Sequence, residues 1–325
     1  MCVRSLRYAL AMLPVILDCD PGHDDALAIA LALADPRLRL LAVTTVAGNA
    51  PLARTTRNAG RVLALAGRSD VPVAAGASRP LVRQSWVPVA FHGESGLDGA
   101  DLPEPAVPPD PRSAVELGAS ALRTSDDPVT LVATGPLTNI ALLLRAAPDL
   151  HERIGEIVVM GGSLGLGNTT ASAEFNIWAD PEAAAIVFEA GIPLRMAGLD
   201  VTHQALMLPD DIARLDGLGT RAGHVFADLM RFFAIHHRDR YGWDGPPIHD
   251  AVAVAWLAEP TLVRSQAMRV DIDTSDGPSR GRTIADPEGI TRLPPNVEVG
   301  LGIDRERLMD MLIEAVARLD LEASP

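Results

Sequence analysis

The sequence contains no lysine, so all 28 of its fixed side-chain cations are arginine. That excludes a Schiff-base lysine and the lysine of a phosphate-cradling loop. Acids outnumber these cations and leave a formal net charge of -14. Such a chain has no basis for gripping a phosphate backbone, so no nucleic-acid partner is expected. Cysteine is almost missing: there are two, Cys2 and Cys19. The first lies in an N-terminal tail and the second in an apolar strand-like run. No structural disulfide is expected, which fits a reducing, cytoplasmic setting. No apolar run reaches the ~18 residues of a membrane span, so no membrane is expected either. Arg4 and Arg7 precede a short apolar stretch, which admits a signal peptide. That stretch runs straight into Val15-Ile16-Leu17-Asp18 without a small-residue cleavage site, so a tail followed by a first strand is favoured.

What is present suits a large core: 325 residues, 48% of them hydrophobic. Strand-like and helix-like segments alternate, the pattern of a mostly parallel open sheet with helices on both faces, an α/β fold. Strands are expected at residues 15–17, 40–46, 71–74, 129–133, 157–160 and 194–197. Helices are expected at 24–33, 52–66, 113–123, 137–144, 181–189, 226–236, 249–257 and 305–319. Residues 268–273 and the stretch after Gly281 pair as a small edge hairpin. The Pro- and Gly-rich stretch 76–112 reads as a long loop, which in a compact domain is functional or disordered. With no repeat or linker, residues 1–14 form a tail and 15–320 a single domain.

The most informative segment is Asp18-Cys19-Asp20-Pro21-Gly22-His23-Asp24-Asp25, placed where the first strand ends and the first helix begins. Ligands bind at the carboxyl ends of strands in such sheets. Asp24 and Asp25 lie at a helix N-terminus, where negative charge is favoured, and capping alone would explain an isolated pair. Four acids in one turn demand more. A hard divalent cation is the natural counter-charge, and Ca2+ accepts carboxylate and carbonyl oxygens. The spacing is not that of an EF-hand.

Extended by Ala26, this segment resembles the N-terminal fingerprint of the inosine-uridine preferring nucleoside hydrolase family. Further landmarks follow in family order: Gly48-Asn49, Phe91-His92-Gly93-Glu94-Ser95-Gly96, Ala133-Thr134-Gly135-Pro136-Leu137-Thr138-Asn139, Ala173-Glu174-Phe175-Asn176-Ile177-Trp178-Ala179-Asp180-Pro181, and Ile248-His249-Asp250-Ala251. The resemblance spans roughly residues 15–315 and implies hydrolysis of ribonucleosides to ribose and free base. It implies Ca2+ held by Asp20, Asp25, the Thr134 carbonyl and Asp250. Asp20 is then the general base and Asp18 orients the metal ligands. Asp24, Asn49, Asn168, Glu174 and Asn176 match ribose-binding positions, and His92 and His249 are candidates for assisting the leaving base. An oxocarbenium-like transition state is expected, stabilised by an anionic pocket.

Read residue by residue, several of these have plainer alternatives. Asn49 and Asn168 each follow a glycine, where Asn is common in turns. Alternation in an extended segment would aim Glu174 and Asn176 one way and Phe175 the other, into the core. Residues 76–98 and 225–247 are expected to close the pocket, with one or two of His236, His237, Tyr241 and Trp243 meeting the base. The glycine-rich 161–167 reads as a turn that carries Asn168 to the pocket.

The His92 loop and His249 resemble the branch accepting inosine and uridine or other pyrimidine nucleosides. No clear tryptophan sandwich of the purine-specific kind is visible, although Trp86 and Trp243 are present. The family implies a homodimer or homotetramer. A haloacid-dehalogenase-type phosphatase also places Asp-x-Asp after its first strand, but it needs a downstream cation that is normally lysine. A non-catalytic calcium- or nucleoside-binding protein on the same fold is the remaining alternative.

Overall fold

A computed structural model describes residues 12–84 and 93–322 of the chain. Most of the N-terminal tail, with Cys2, lies outside them, as do Trp86 and His92. Nine strands form one sheet in the order β3-β2-β1-β4-β5-β6-β9-β7-β8. They are β1 (Leu13–Cys19), β2 (Leu38–Thr45), β3 (Val73–Ala75), β4 (Val129–Ala133), β5 (Ile154–Met160), β6 (Leu194–Ala197), β7 (Val263–Ile272), β8 (Thr283–Asp286) and β9 (Val297–Ile303). All pairings from β3 to β9 are parallel. β7 runs antiparallel to β9 and to β8, which is the expected edge hairpin. β9, inserted between β6 and β7, was not expected; its apolar residues do alternate, at Val297, Val299, Leu301 and Ile303, but two of the intervening positions are Gly300 and Gly302, a residue disfavoured in strands.

The helices are α1 (His23–Ala34), α2 (Leu52–Leu65), α3 (Ala114–Thr124), α4 (Thr138–Ala146), α5 (Phe175–Ala179), α6 (Pro181–Phe188), α7 (Leu199–Thr202), α8 (Pro209–Asp216), α9 (Arg221–Tyr241), α10 (His249–Ala258) and α11 (Arg305–Glu322). β1 shows why the sheet must be covered on both sides. Val15, Leu17 and Cys19 enter a core shared with α1, α9, α10 and α11, while Ile16 enters another shared with α3, α4 and α6. Every residue of α1 is buried, consistent with its nearly uncharged, alanine-rich body wedged against α10 and α11.

The order of the strands also locates the site. From β1 the chain winds outward through β2 to β3, then returns to place β4 on the other flank of β1. The carboxyl ends of β1 and β4 therefore border the crevice where winding reverses, the position at which open α/β sheets bind ligands.

Within the long loop, the described part has no helix or strand, only an isolated bridge from Asp110 to Ala74. It is nonetheless packed. Leu97 and Leu102 are buried. Asn58 of α2 donates to the Ser95 carbonyl at 2.9 Å, and Arg61 donates to the Leu102 carbonyl at 2.8 Å.

Candidate active site

Each part of the acidic cluster is set by a strand end. Asp18 is the penultimate residue of β1 and is fully buried. Its Oδ1 accepts from Thr44 Oγ1 at 2.5 Å and Asn139 Nδ2 at 2.8 Å. Burial still pushes its carboxyl up to about 7, because those two donors only partly replace water. Asp20 follows the strand. Its Oδ2 accepts from the Asn49 backbone N–H at 2.6 Å, while its buried Oδ1 has no hydrogen-bond partner among the described residues.

Asp25 opens α1. Its Oδ2 accepts from Gly22 N–H at 2.9 Å and Asn49 Nδ2 at 3.2 Å, and its Oδ1 from Thr134 Oγ1 at 2.9 Å. Asp24 Oδ2 accepts from the His249 N–H at 3.1 Å, tying α1 to the start of α10.

Carboxylate oxygens of Asp24, Asp25 and Asp250 all lie within 4.8 Å of one another and are buried. Asp25 and Asp250 face each other closely enough to share a proton. Burial first, then neighbouring acids, drives Asp20 and Asp250 well above the ordinary carboxylate range and holds Asp24 at about 7. None of the ion pairs described reaches these residues. At 4.8 Å, two like charges repel by roughly 3 kcal/mol at an effective dielectric of ~20. A cation among them would reverse the sign of that energy. Together with the unpartnered oxygen of Asp20, the donor set fits a hard, oxygen-seeking divalent ion.

Two glycines make the arrangement possible. A Cβ at Gly48 would sit 2.0 Å from Asp20 Oδ2, and one at Gly135 would sit 2.7 Å from Asp20 Oδ1. Both positions stood inside recognised motifs, but neither was assigned a role.

The cluster opens into a cavity of about 340 Å³. One wall presents Asp24, Asn49, Thr134, Asn168, Glu174, Asn176, His249 and Asp250. The expected ribose-contact residues are thus gathered together, with metal candidates Thr134 and Asp250 among them. Asp20 and Asp25 lie beneath. Asn176 Nδ2 donates to the Thr134 carbonyl at 2.8 Å and to the Met160 carbonyl at 3.1 Å, bracing the ends of β4 and β5.

Glu174 corrects the extended-segment expectation. It is the N-cap of α5, accepting from Asn176 N–H at 2.9 Å and Ile177 N–H at 3.1 Å. Its carboxyl is raised to about 7, chiefly by burial. Because the chain turns helical there, Phe175 does not point oppositely into the core; it is half-buried and lines the cavity. Asn168 accepts from the Phe175 N–H at 3.0 Å, so turn chemistry and cavity lining are both true of it.

A further part of the lining comes from α9 and the loop after it: Phe233, His237, Arg240, Tyr241 and Trp243, joined by His203. Of the four candidate rings, one or two of which were expected at the base, His237, Tyr241 and Trp243 line the cavity, while His236 is not among the lining residues. His237 stacks on Trp243 with ring centres 6.0 Å apart, and its Nδ1–H donates to the Phe233 carbonyl at 3.0 Å. Burial lowers its pKa to about 4, so it is neutral. The described part of 76–98 supplies no lining residue, and His92 lies outside the described chain.

Thr202 and His203 had not been singled out. Their signal is position: they follow the carboxyl end of β6, as Thr134 follows β4. His249 Nδ1 lies 2.7 Å from Thr202 Oγ1.

The buried carboxylate cluster and the cavity beside it lie at the switch point of the sheet, where an α/β enzyme holds a small substrate. Residues 15–310 match the model of the inosine-uridine preferring nucleoside hydrolase family, and the chain belongs to that family. It is a nucleoside hydrolase, an enzyme that splits the bond between ribose and base. Among its relatives, the pyrimidine-specific ribonucleoside hydrolase RihA of Shewanella sp. (strain ANA-3) is 51% identical over 305 residues, covering 94% of this chain and 96% of the relative. RihA of Enterobacter sp. (strain 638) is 48% identical over 310 residues, covering 95% and 99%. A solved purine-preferring ribonucleoside hydrolase from Gardnerella vaginalis superposes with a TM-score of 0.88 at 34% identity, covering 94% of this chain and 99% of that one. Among the described residues, no helix is long and apolar enough to cross a membrane.

Proposed function

We propose that this nucleoside hydrolase is calcium-dependent and prefers pyrimidine ribonucleosides. The observation that carries the metal half is the set of buried aspartates with no ion-pair partner among the described residues and an unpartnered oxygen on each of Asp18 and Asp20. The relatives near 50% identity, named pyrimidine-specific, support the base preference.

Asp20, Asp25, Asp250 and the Thr134 carbonyl would hold the ion, with Asp24 close enough to share it. When bound, a hard divalent ion orients the ribose hydroxyls and makes a water more acidic. Asp20 takes the proton from the attacking water. Asp24, Asn49, Asn168, Glu174 and Asn176 supply acceptors and donors that fix the ribose hydroxyls. The surrounding negative charge stabilises the positive charge that develops on the sugar as its bond to the base lengthens. His249, on the cavity wall, assists the departing base, and His92 is proposed to join it there.

Uridine, cytidine, inosine and adenosine, each with calcium and after exhaustive chelation, test the reading through free ribose. The pyrimidine nucleosides should be cleaved fastest, with activity lost on chelation and restored by calcium. Faster cleavage of inosine and adenosine would overturn the preference. Undiminished cleavage by chelated protein would overturn the metal dependence.

A further inference from the structure

The polar group nearest the inner edge of His249 is a hydroxyl that the mechanism above does not use. Thr202 ends α7, is fully buried, and lies 2.7 Å from His249 Nδ1 through its Oγ1. Among the described residues this is the hydroxyl's one hydrogen-bond partner. A buried hydroxyl must place its hydrogen on an acceptor, whereas an unused lone pair costs far less. The Thr202 hydrogen therefore goes to Nδ1. Nδ1 is then the unprotonated nitrogen, and the neutral ring carries its hydrogen on Nε2.

The surroundings hold that assignment in place. The His249 backbone N–H is fixed on Asp24 Oδ2 at 3.1 Å. The His203 ring meets the His249 ring edge-on at 5.5 Å, and Trp243 meets His203 at 4.9 Å. The seat of α7 is equally constrained: a Cβ at Gly198, its N-cap, would sit 2.8 Å from the Gly162 carbonyl oxygen.

We propose that Thr202 is a positioning residue for departure of the base, selecting the tautomer in which His249 presents Nε2–H to the cavity. This rests on the reading of His249 as the residue that assists the base. In the step it serves, the oxygen of water bonds to C1′ and its proton passes to Asp20. The C1′–N bond breaks with its electron pair on the base. Nε2–H donates a hydrogen bond to the base heteroatom on which that charge collects. The base is protonated from solvent on release, balancing the proton held by Asp20. With Nδ1–H instead, Nε2 would offer a lone pair and repel the departing anion.

The test compares Thr202→Val, Thr202→Ser and His249→Ala on uridine and on 4-nitrophenyl β-D-ribofuranoside, whose leaving group needs no such assistance. Thr202→Val should lower kcat on uridine roughly 10- to 100-fold with KM little changed, the usual scale for a group that orients a functional ligand. The deficit should shrink to within about threefold on the nitrophenyl substrate, and Thr202→Ser should recover most of the uridine activity. Equal deficits on both substrates, or no rescue by serine, would overturn the proposal. If His249→Ala discriminates the substrates and Thr202→Val does not, the proposal fails while the reading of His249 stands. If His249→Ala loses no leaving-group dependence, that reading fails and takes this one with it. Nitrogen-15 shifts of the His249 ring in the wild-type enzyme give an answer independent of variant folding. Protonated Nε2 supports the proposal, and protonated Nδ1 overturns it.

Discussion

Asp20, the proposed general base, is anchored on one side only. Its Oδ2 is committed to Asn49 at 2.6 Å and its Oδ1 is unpartnered, so one oxygen is held still while the other is available. Asp20→Asn should cut kcat on uridine by roughly 10²- to 10⁴-fold, the scale of a lost general base, with the fold unchanged by circular dichroism. Gly48→Ala makes a sharper test, because the new Cβ would meet Asp20 Oδ2 at 2.0 Å. Activity should fall at least tenfold while calcium-free thermal stability changes little; full activity would show that Asp20 yields freely. The aspartates were legible in the sequence because four acids in one turn are anomalous without a counter-charge. Gly48 and Gly135 were not, since the role of a missing side chain leaves no positive mark. Thr202 was hidden for another reason: one hydroxyl at the end of a four-residue helix has no pattern to stand out from.

At the scale of the element, α9 turns a packing helix into a recognition surface. Phe233 and His237, one turn apart on it, face the cavity. His237 has a folded pKa of about 4 against an ordinary value of 6.5. Protonation therefore favours unfolding: the stabilisation is complete above about pH 6.5 and is lost as pH falls toward 4, by at most roughly 3 kcal/mol. His237→Phe should remove that part of the acid sensitivity, seen as a smaller drop in urea midpoint between pH 7 and pH 4 than in wild type. α11 was read to within a few residues because burial of one face sets its pattern, and α10 because its apolar run, buried all round, is too long for a strand. α5, with five residues, is too short to show a helical period. Its neighbourhood was taken as extended, and Phe175 was consequently aimed the wrong way. β9 keeps its apolar alternation, but two glycines fill positions between the apolar residues and lower its apparent strand propensity.

For the molecule as a whole, part of the net charge of -14 is carried by carboxyls that cannot reach water. On the calcium proposal, ion binding is also folding energy: at 100-fold excess over Kd it adds about 2.7 kcal/mol. Calcium should raise Tm by several degrees, and chelation should lower it to a baseline that Asp25→Asn no longer depends on calcium to reach. An equal Tm with and without calcium would count against a bound ion. The two walls of the cavity have a longer-range consequence. Most of the groups proposed to cut the glycosidic bond hang from strand ends distributed over the sheet, with Asp250 at the start of α10 the exception, whereas much of the wall proposed to face the base comes from the end of one helix and the loop behind it. On these proposed roles, bond cleavage and base choice are carried on largely separable modules. A lineage can exchange the second without rebuilding the first, so divergence in diet need not pass through an inactive ancestor.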